Sequence, residues 1–205
     1  MSRARWTGGV AVAATAGAAL WWRRNPSACP YAQRFLVEVP RPFITRERLH
    51  EALEPQPGQT VLEVGPGTGY YTLGVALKLG PAGRLSVFDV QQEMLDHTMG
   101  RATSLGLRNL DPRRGDATSL PYADAEFDSA YLVTVLGEVP DQDAALRELR
   151  RVLKPGGRLV VGELVFDPHM VSERALRRRA AQAGLRFERR VGPPFGYFGV
   201  LRAGS

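Results

Sequence analysis

A glycine-rich segment contains the residues best suited to hold a ligand: Glu63-Val64-Gly65-Pro66-Gly67-Thr68-Gly69. It follows a short apolar run at residues 61–64, which is typical of a buried strand, and it leads into a predicted helix over residues 70–79. Because glycine has no Cβ atom, such a segment can turn tightly and let a ligand lie against bare backbone. A nucleotide-like ligand at the carboxyl end of a parallel strand would use this turn, although a tight turn without a ligand would need the same glycines.

Two carboxylates follow the next two predicted strands. Asp89 ends the second strand, 20 residues after Gly69, where a carboxylate can accept both hydrogen bonds from a ribose diol. Asp116 follows the third strand, beside Ala117, and can accept a hydrogen bond from an exocyclic amine such as that of adenine. A nicotinamide-dependent oxidoreductase would share the loop and Asp89, but its fingerprint is G-x-G-x-x-G, whereas this loop reads G-x-G-x-G and begins two residues after Glu63. Together these features predict a site for an adenosyl group.

The elements that must position these residues alternate between strand-like and helix-like from residue 45 onwards. This alternation predicts an α/β fold with a seven-stranded, mostly parallel sheet and helices on both faces. Pro112 interrupts the third strand, and since proline is tolerated chiefly at sheet edges, we expect that strand at an edge. Thr45, Asp141 and Ser172 are predicted N-caps. Strands are predicted at residues 61–64, 84–89, 110–114, 127–135, 158–164, 185–191 and 196–202, and helices at 45–53, 70–79, 91–105, 141–153 and 172–184.

An uncharged segment at residues 6–22, WTGGVAVAATAGAALWW, lies between arginines at positions 3 and 5 and arginines at positions 23 and 24. As a helix it would reach about 25 Å, which is short for a hydrocarbon core of about 30 Å, but tryptophans lie at both ends, where interfacial aromatics anchor a span. The pattern predicts an N-terminal hydrophobic helix associated with a membrane, and the arginines after it predict a domain on the cytoplasmic face. The alternatives are a helix packed on the domain and a cleaved signal peptide, which the absence of a small-residue cleavage site disfavours.

Length and composition suit one domain with an appendage, since the chain has 205 residues of which 44% are hydrophobic. We divide it into the hydrophobic segment at residues 1–24, a proline-containing linker that covers the domain at residues 25–44, and the globular domain at residues 45–205. The net charge of +6 raises the question of nucleic-acid binding, but the seven arginines between Arg174 and Arg190 have only Phe187 among them as a stacking platform. We therefore predict no nucleic-acid partner. Cys29 is the only cysteine and the three histidines are scattered, so no metal site is predicted.

Four blocks, in this order, resemble the class I S-adenosylmethionine-dependent methyltransferases: VLEVGPGTG, FDVQQEML, GDATSLPYADAEFD and ALRELRRVLKPGGRLVV. The resemblance spans residues 61–163 and points to the branch, methyltransferase type 11, that includes ubiquinone and menaquinone C-methyltransferases. It implies a Rossmann-like fold with S-adenosyl-L-methionine as the cofactor. It implies Asp89 on the ribose, Asp116 with Ala117 on the adenine, and Glu63 near the amino acid end. The full set of cofactor-binding residues that it implies is Glu63, Gly65, Gly67, Gly69, Asp89, Val90, Asp116, Ala117 and Val133.

The resemblance implies no fixed catalytic residue, because methyl transfer from a sulfonium is an in-line displacement that depends mainly on alignment. A general base helps only where the acceptor holds a proton of high pKa. Glu138 follows the fourth predicted strand, and it is a candidate for such a role together with Thr134 and Tyr70, which can also border the cavity. The alternatives stay open, since Glu138 also fits a solvated loop carboxylate, and Tyr70, like Tyr71, fits ordinary helix packing.

The motifs and the hydrophobic N-terminal segment together predict methyl transfer from S-adenosylmethionine to a small, lipophilic or lipid-like molecule. A catalytically inactive S-adenosylmethionine-binding scaffold is the alternative from another functional class, because no catalytic signature is present. An NAD-dependent oxidoreductase is the third reading. The acceptor cannot be read from the sequence, since fold does not determine substrate and the loops after the fourth and fifth strands follow no recognisable code.

Overall fold

The computed structural model of the protein describes residues 27–33 and 42–204. The predicted hydrophobic helix at residues 6–22 lies outside these ranges and stays a prediction. Of the predicted linker, residues 27–33 and 42–44 are described. Every helix within the described ranges is too short or too polar to cross a bilayer.

Seven strands form one sheet in the order β3-β2-β1-β4-β5-β7-β6. All neighbouring pairs are parallel except those that involve β7, which runs antiparallel to β5 and β6. The predicted seven-stranded, mostly parallel sheet is therefore confirmed. β3, the strand that contains Pro112, pairs only with β2 and lies at the predicted edge. The strands are β1 (Thr60–Val64), β2 (Arg84–Asp89), β3 (Leu110–Arg114), β4 (Phe127–Val133), β5 (Leu153–Leu164), β6 (Leu185–Val191) and β7 (Gly196–Ala203).

Five α-helices connect or flank these strands. The three predicted N-caps are confirmed, because the side chains of Thr45, Asp141 and Ser172 each accept a hydrogen bond from the backbone N–H three residues later. Each such cap stabilises its helix by about 1 kcal/mol. The helices are α1 (Arg46–Leu53), α2 (Thr72–Leu79), α3 (Gln92–Ser104), α4 (Gln142–Val152) and α5 (Glu173–Gln182), and two short 3₁₀ helices cover Tyr31–Gln33 and Leu136–Glu138.

Two boundaries near the glycine-rich loop differ from their predicted positions. Helix α2 begins at Thr72 rather than at residue 70, because Tyr70 and Tyr71 continue the turn that follows β1. Strand β4 ends at Val133 rather than at residue 135, because Thr134 has φ of +55°, which lies outside the strand region. Both differences leave irregular backbone at the carboxyl edge of the sheet.

Strand β5 begins at Leu153, immediately after α4, rather than at the predicted residue 158. Leu153 already pairs with Phe127 of β4, while Arg158 pairs with Ser129, so the register shifts between these two positions. A bulge of this kind accommodates extra residues in one strand without ending the pairing. Residues 154–157, which lie between the predicted helix and the predicted strand, are therefore part of the strand.

Both faces of the sheet are buried, as expected for a parallel sheet covered by helices. In β1, Leu62 and Val64 pack on the face covered by α4 and α5, whereas Val61 packs on the face covered by α1, α2 and α3. Fully burying one such aliphatic side chain contributes about 1.5–3 kcal/mol. The helices supply Leu146, Leu149, Leu176 and Ala180 to the first face and Leu49, Val75, Ala76 and Leu95 to the second.

Gly137 couples the turn after β4 to the loop after β5. It lies in the second 3₁₀ helix and packs against the backbone of His169. A Cβ atom at Gly137 would lie 1.8 Å from the His169 carbonyl oxygen, far inside van der Waals contact. Because the obstacle is backbone, it could yield only if the whole loop moved.

We therefore expect Gly137→Ala to lower the free energy of unfolding by about 1–3 kcal/mol, the usual cost of overpacking. Gly100→Ala is the matched control, because Gly100 is exposed in α3 with open space around it. That change should stabilise the protein by about 0.5–1 kcal/mol through helix propensity. Urea unfolding followed by circular dichroism measures both, and equal stability of the two variants would contradict the prediction.

Candidate functional site

A cavity of about 450 Å³ lies where β1, β2 and β4 end. The last residues of these strands, Val64, Asp89 and Val133, all line it. β1 is the point at which the strand order reverses, since it pairs with β2 on one side and β4 on the other. Ligands of open α/β sheets bind in the crevice outside the strands at such a point.

Most of the residues predicted for the site come together around this cavity. The three catalytic candidates, Tyr70, Thr134 and Glu138, line it. Glu63 and Gly69 are not among the lining residues. The predicted cofactor-binding residues that do line it are Gly65, Gly67, Asp89, Val90, Asp116, Ala117 and Val133.

Gly65 opens the loop that follows β1, and no other residue type fits its position. Its φ is +72°, and a Cβ atom there would lie 2.3 Å from Cγ2 of Val135. Its N–H donates to the Phe88 carbonyl oxygen at 2.8 Å, which continues the pairing of β1 with β2 into the loop. The loop backbone is therefore held in one conformation with its bare surface available to a ligand.

Gly69 closes the same loop and faces α3 instead of the cavity. A Cβ atom at Gly69, whose φ is +80°, would lie 3.1 Å from Cγ2 of Thr98. The Thr98 hydroxyl in turn donates to the Gly67 carbonyl oxygen at 3.1 Å. Gly69 thus allows the loop to pack tightly on α3, which fixes Gly67 at the cavity.

Asp89 presents a largely buried carboxylate to the cavity, with 9% of the residue exposed. Its Oδ1 accepts a hydrogen bond from the Gln91 N–H at 2.8 Å. Burial raises the pKa of Asp89 to about 6, although hydrogen bonds from Gln91 and Val90 backbone N–H groups partly oppose the shift. The charge of such a carboxylate is stabilised by hydrogen bonds from hydroxyl groups of a ligand in the cavity.

Glu63 lies behind the loop, fully buried, and its Oε2 has no hydrogen-bond partner among the described residues. Burial raises its pKa to about 7, and the nearby charge of Asp89 adds to the shift. A buried carboxyl oxygen without a partner is costly, by about 1–3 kcal/mol. Glu63 is therefore not part of the cavity wall, and it would affect a bound ligand only through the loop that lies between them.

Asp116 lies on the exposed side of the cavity. Its Oδ1 accepts a hydrogen bond from the Thr118 N–H at 2.8 Å, so the carboxylate is oriented by its own loop. Gly115, just before it, leaves room for the Phe88 ring, since a Cβ atom there would lie 2.6 Å from that ring. Phe88 and Ala117 supply apolar surface beside this carboxylate.

Thr134 is held in a strained conformation at the cavity. Its φ of +55° is rare for a β-branched residue and costs about 1–3 kcal/mol. Its N–H donates to the Gly162 carbonyl oxygen at 2.8 Å. The same turn places Val135 against Gly65, so the strained residue determines how closely the two loops approach each other.

Residues 27–33 cover part of the cavity, a position that no sequence motif predicted. Ser27, Ala28 and Cys29 line it. The side-chain amide of Gln91 holds this segment from both sides: Nε2 donates to the Cys29 carbonyl oxygen at 2.9 Å, and Oε1 accepts from the Tyr31 N–H at 3.1 Å. The Cys29 N–H also donates to Glu138 Oε2 at 3.3 Å. We call residues 27–33 the cap segment.

Tyr70 and Tyr71 complete the apolar wall. Their rings meet edge to face with centroids 4.8 Å apart, and the Arg46 guanidinium lies 4.1 Å from the Tyr70 ring centroid. The Tyr71 hydroxyl donates to the Ile44 carbonyl oxygen, which ties the start of α1 to the cavity. Packing therefore fixes both rings.

Sequence comparison finds known relatives for the central part of the chain. Residues 62–161 match the family described as methyltransferase domain. An uncharacterised 37.1 kDa protein from a transposon of Streptomyces fradiae is 40% identical over 119 residues, which are 57% of this chain and 33% of that protein. A demethylmenaquinone methyltransferase of Staphylococcus aureus is 34% identical over 117 residues, which are 57% of this chain and 48% of that protein. The matched part thus spans a third to a half of these relatives.

Structural comparison supports the same relationship over more of the chain. The crystal structure of an S-adenosylmethionine-dependent methyltransferase from Aquifex aeolicus superposes with a TM-score of 0.78 and 23% sequence identity. The superposition covers 86% of this chain and 100% of that one. At this level of identity the likeness shows a shared fold.

We expect Gln91→Ala to loosen the cap segment, because it removes both hydrogen bonds from the Gln91 side chain. Each is worth about 1 kcal/mol, so backbone amide exchange at Tyr31 should become at least about tenfold faster. Gln92→Ala is the control, since the exposed Gln92 side chain bonds only to Asp96 within α3. Hydrogen exchange followed by mass spectrometry measures both, and unchanged exchange in Gln91→Ala would refute this role.

The raised pKa of Glu63 predicts a pH-dependent stability. The folded protein holds a proton on Glu63 that the unfolded chain releases between about pH 4.5 and pH 7, so this group's contribution is fully present below pH 4.5 and is lost towards pH 7. The difference in unfolding free energy between the wild type and Glu63→Gln should therefore fall by ~3 kcal/mol across that range.

Denaturant unfolding at several pH values measures this difference. Asp89, whose pKa is also raised, is present in both proteins, and Glu93→Gln on the exposed surface of α3 serves as the control for replacing a glutamate by glutamine. A flat pH profile for Glu63→Gln would show that Glu63 ionises normally.

The sequence match, the sheet order and the cavity at the end of β1 agree with one another. The match covers the segments that form β1 to β5, and these strands carry the glycine loop and Asp89. The cofactor of this group of proteins is S-adenosylmethionine. Residues 62–161 thus match a methyltransferase domain, and the chain shares the fold of an S-adenosylmethionine-dependent methyltransferase.

Proposed function

We propose that this protein transfers the methyl group of S-adenosylmethionine to a small, lipophilic molecule. The observation that carries the proposal is one cavity with two kinds of wall. The glycine loop and the buried Asp89 carboxylate form one part, and largely apolar side chains form the rest. An adenosyl group with its ribose suits the first part, and an apolar acceptor suits the second.

The residues around the loop fit the cofactor. Asp89 would accept hydrogen bonds from the ribose hydroxyls, and Gly65 with Gly67 would leave room for the methionine portion. Asp116 with Ala117 would hold the adenine. Val90 and Val133 would pack against the cofactor, with Glu63 and Gly69 supporting the loop from behind. When bound, the cofactor supplies an electrophilic methyl group on a sulfonium.

The remaining wall would hold the acceptor. Tyr70, Tyr71, Val135, Val139 and Ala28 offer mainly apolar surface to the cavity. The relationship to a demethylmenaquinone methyltransferase supports an acceptor of lipophilic character. These side chains would orient the acceptor and exclude water, which is the main requirement of an in-line displacement.

Glu138 is the group that we propose for proton removal from the acceptor. Among the described residues that line the cavity, the carboxylates are Asp89, Asp116 and Glu138, and the first two belong to the cofactor end. The Cys29 N–H orients the Glu138 carboxylate. A carboxylate placed in this way can accept a proton from an acidic hydroxyl or an enolisable carbon. Thr134 and Tyr70 would help to position the acceptor.

The predicted division of the chain completes the proposal. Residues 1–24 would attach the protein to the cytoplasmic face of a membrane, residues 25–44 would link and cap, and residues 45–205 would carry out the transfer. Ser27, Ala28 and Cys29 on the cavity wall support the role of the linker as a cap. A protein of this design would meet its acceptor at the membrane.

We expect S-adenosylmethionine to bind the protein in a calorimetric titration, and Asp89→Ala to weaken the binding by roughly ten- to a hundredfold through the loss of charge-assisted hydrogen bonds. Asp96→Ala is the matched control, because Asp96 is exposed on α3. Equal affinity of the two variants would contradict the assignment of the ribose to Asp89.

A labelled methyl donor incubated with cell extract and its lipid fraction tests the transfer itself. Label in an organic-soluble product, lost in Asp89→Ala, supports the proposal. Cofactor binding without any labelled product would favour a scaffold, and binding of NADH in place of S-adenosylmethionine would favour an oxidoreductase.

A further inference from the structure

Three exposed apolar residues and the half-buried Phe43 form a patch at the carboxyl end of the sheet, which we call the aromatic patch: Phe43, Val165, Phe166 and Phe195. Phe166 is 73% exposed, Phe195 54% and Val165 42%. The Val165 N–H donates to the Phe195 carbonyl oxygen at 3.0 Å, and the rings of Phe43 and Phe195 lie 5.8 Å apart. The fold thus brings together three separate segments, and large exposed apolar groups clustered in this way mark an interaction site.

The aromatic patch lies at the same edge of the sheet as the cavity. Leu164, the last residue of β5, pairs with Gly196, the first residue of β7, so the loop after β5 and the turn before β7 both lie where β4 ends. Phe43 continues into Ile44, whose carbonyl oxygen accepts the hydrogen bond of the cavity-lining Tyr71. A surface that docks through the patch would therefore face the cavity edge.

The predicted membrane segment joins the domain at this edge as well. Ser27 lines the cavity, and Trp22, the last residue of the uncharged segment, is only five residues earlier in the chain. Five residues span at most about 18 Å even when fully extended. The length of the chain therefore keeps Trp22 within about 18 Å of the cavity-lining Ser27.

The charges beside the aromatic patch do not oppose an anionic surface. Asp167 follows Phe166 and contributes one negative charge. Two positive charges lie beside the aromatic patch, because the Arg48 and Arg190 guanidinium groups donate to the Phe43 and Pro193 carbonyl oxygens. Glu173 is paired with Arg177 at 2.7 Å and lies 3.6 Å from Arg190. The chain as a whole carries a net charge of +6, and basic groups near a bilayer gain about 1 kcal/mol each from anionic lipids.

We propose that the aromatic patch docks on an anionic lipid bilayer, with the phenylalanine side chains inserted among the head groups and the cavity edge turned towards the membrane. This deepens the proposed function and rests on it, because a lipophilic acceptor would then pass from the bilayer to the cavity along a short path. Interfacial aromatic and aliphatic side chains supply the binding free energy in such contacts.

Co-sedimentation of the full chain with vesicles of phosphatidylcholine and phosphatidylglycerol tests this surface. We expect Phe166→Ser combined with Phe195→Ser to lower the partition coefficient between vesicles and solution at least about tenfold, since two phenylalanine side chains that would insert into the bilayer are lost. Leu77→Ser combined with Leu105→Ser is the matched control, because these leucines are 61% and 59% exposed and lie in α2 and just after α3. The control should bind as the wild type does.

Equal binding of the patch variant and the wild type would overturn the proposal, since residues 6–22 alone would then account for binding. A patch variant that keeps vesicle binding but loses self-association, measured by light scattering without vesicles, would also overturn it in favour of a protein contact. The vesicle measurement uses no cofactor or acceptor, so its outcome is separate from that of the methyl-transfer experiment. Cofactor affinity of the patch variant, measured by calorimetry, should equal that of the wild type.

Discussion

The close approach of the Gly65 backbone to the Val135 side chain, just beyond the ends of β1 and β4, is the constraint on which the site depends. Gly65 lies so near Val135 that no side chain fits between them, and this proximity closes the cavity floor between the loops after β1 and β4. One strained backbone conformation, at Thr134, is maintained by the buried sheet on either side, whereas Gly65 adopts its positive φ without strain. A rigid sheet buried on both faces can hold such strain because its strands cannot shift independently.

Buried carboxylates give the site its electrostatic character. Asp89 and Glu63 end up in surroundings that disfavour their charge, and both have raised pKa values. Such groups destabilise the ligand-free protein but interact more strongly with donors than exposed carboxylates do, because competing water is excluded. Hydrogen bonds from a ligand would therefore offset part of this destabilisation.

Segments distant in sequence complete the cavity and its edge. The cap segment is held by the side chain of Gln91, and the backbone N–H of Gln91 also binds Asp89, so one residue positions both the cap segment and this carboxylate. On the outside, the loop after β5 and the turn before β7 form the aromatic patch only because β7 runs antiparallel to β5. Sheet topology thus decides both what covers the cavity and what surrounds its mouth.

Periodicity, capping and glycine spacing are local properties of the chain. They were enough to predict the alternation of strands and helices, three helix caps, the edge position of β3 and the glycine-rich loop after β1. Tertiary structure alone decided that Glu63 and Gly69 lie behind the cavity wall, that residues 27–33 cover the cavity, and that β5 starts at Leu153. These outcomes depend on which distant atoms come into contact, such as Thr98 beside Gly69 and Phe127 beside Leu153. Such contacts produce no periodic pattern in the sequence, so they can be identified only in the packed fold.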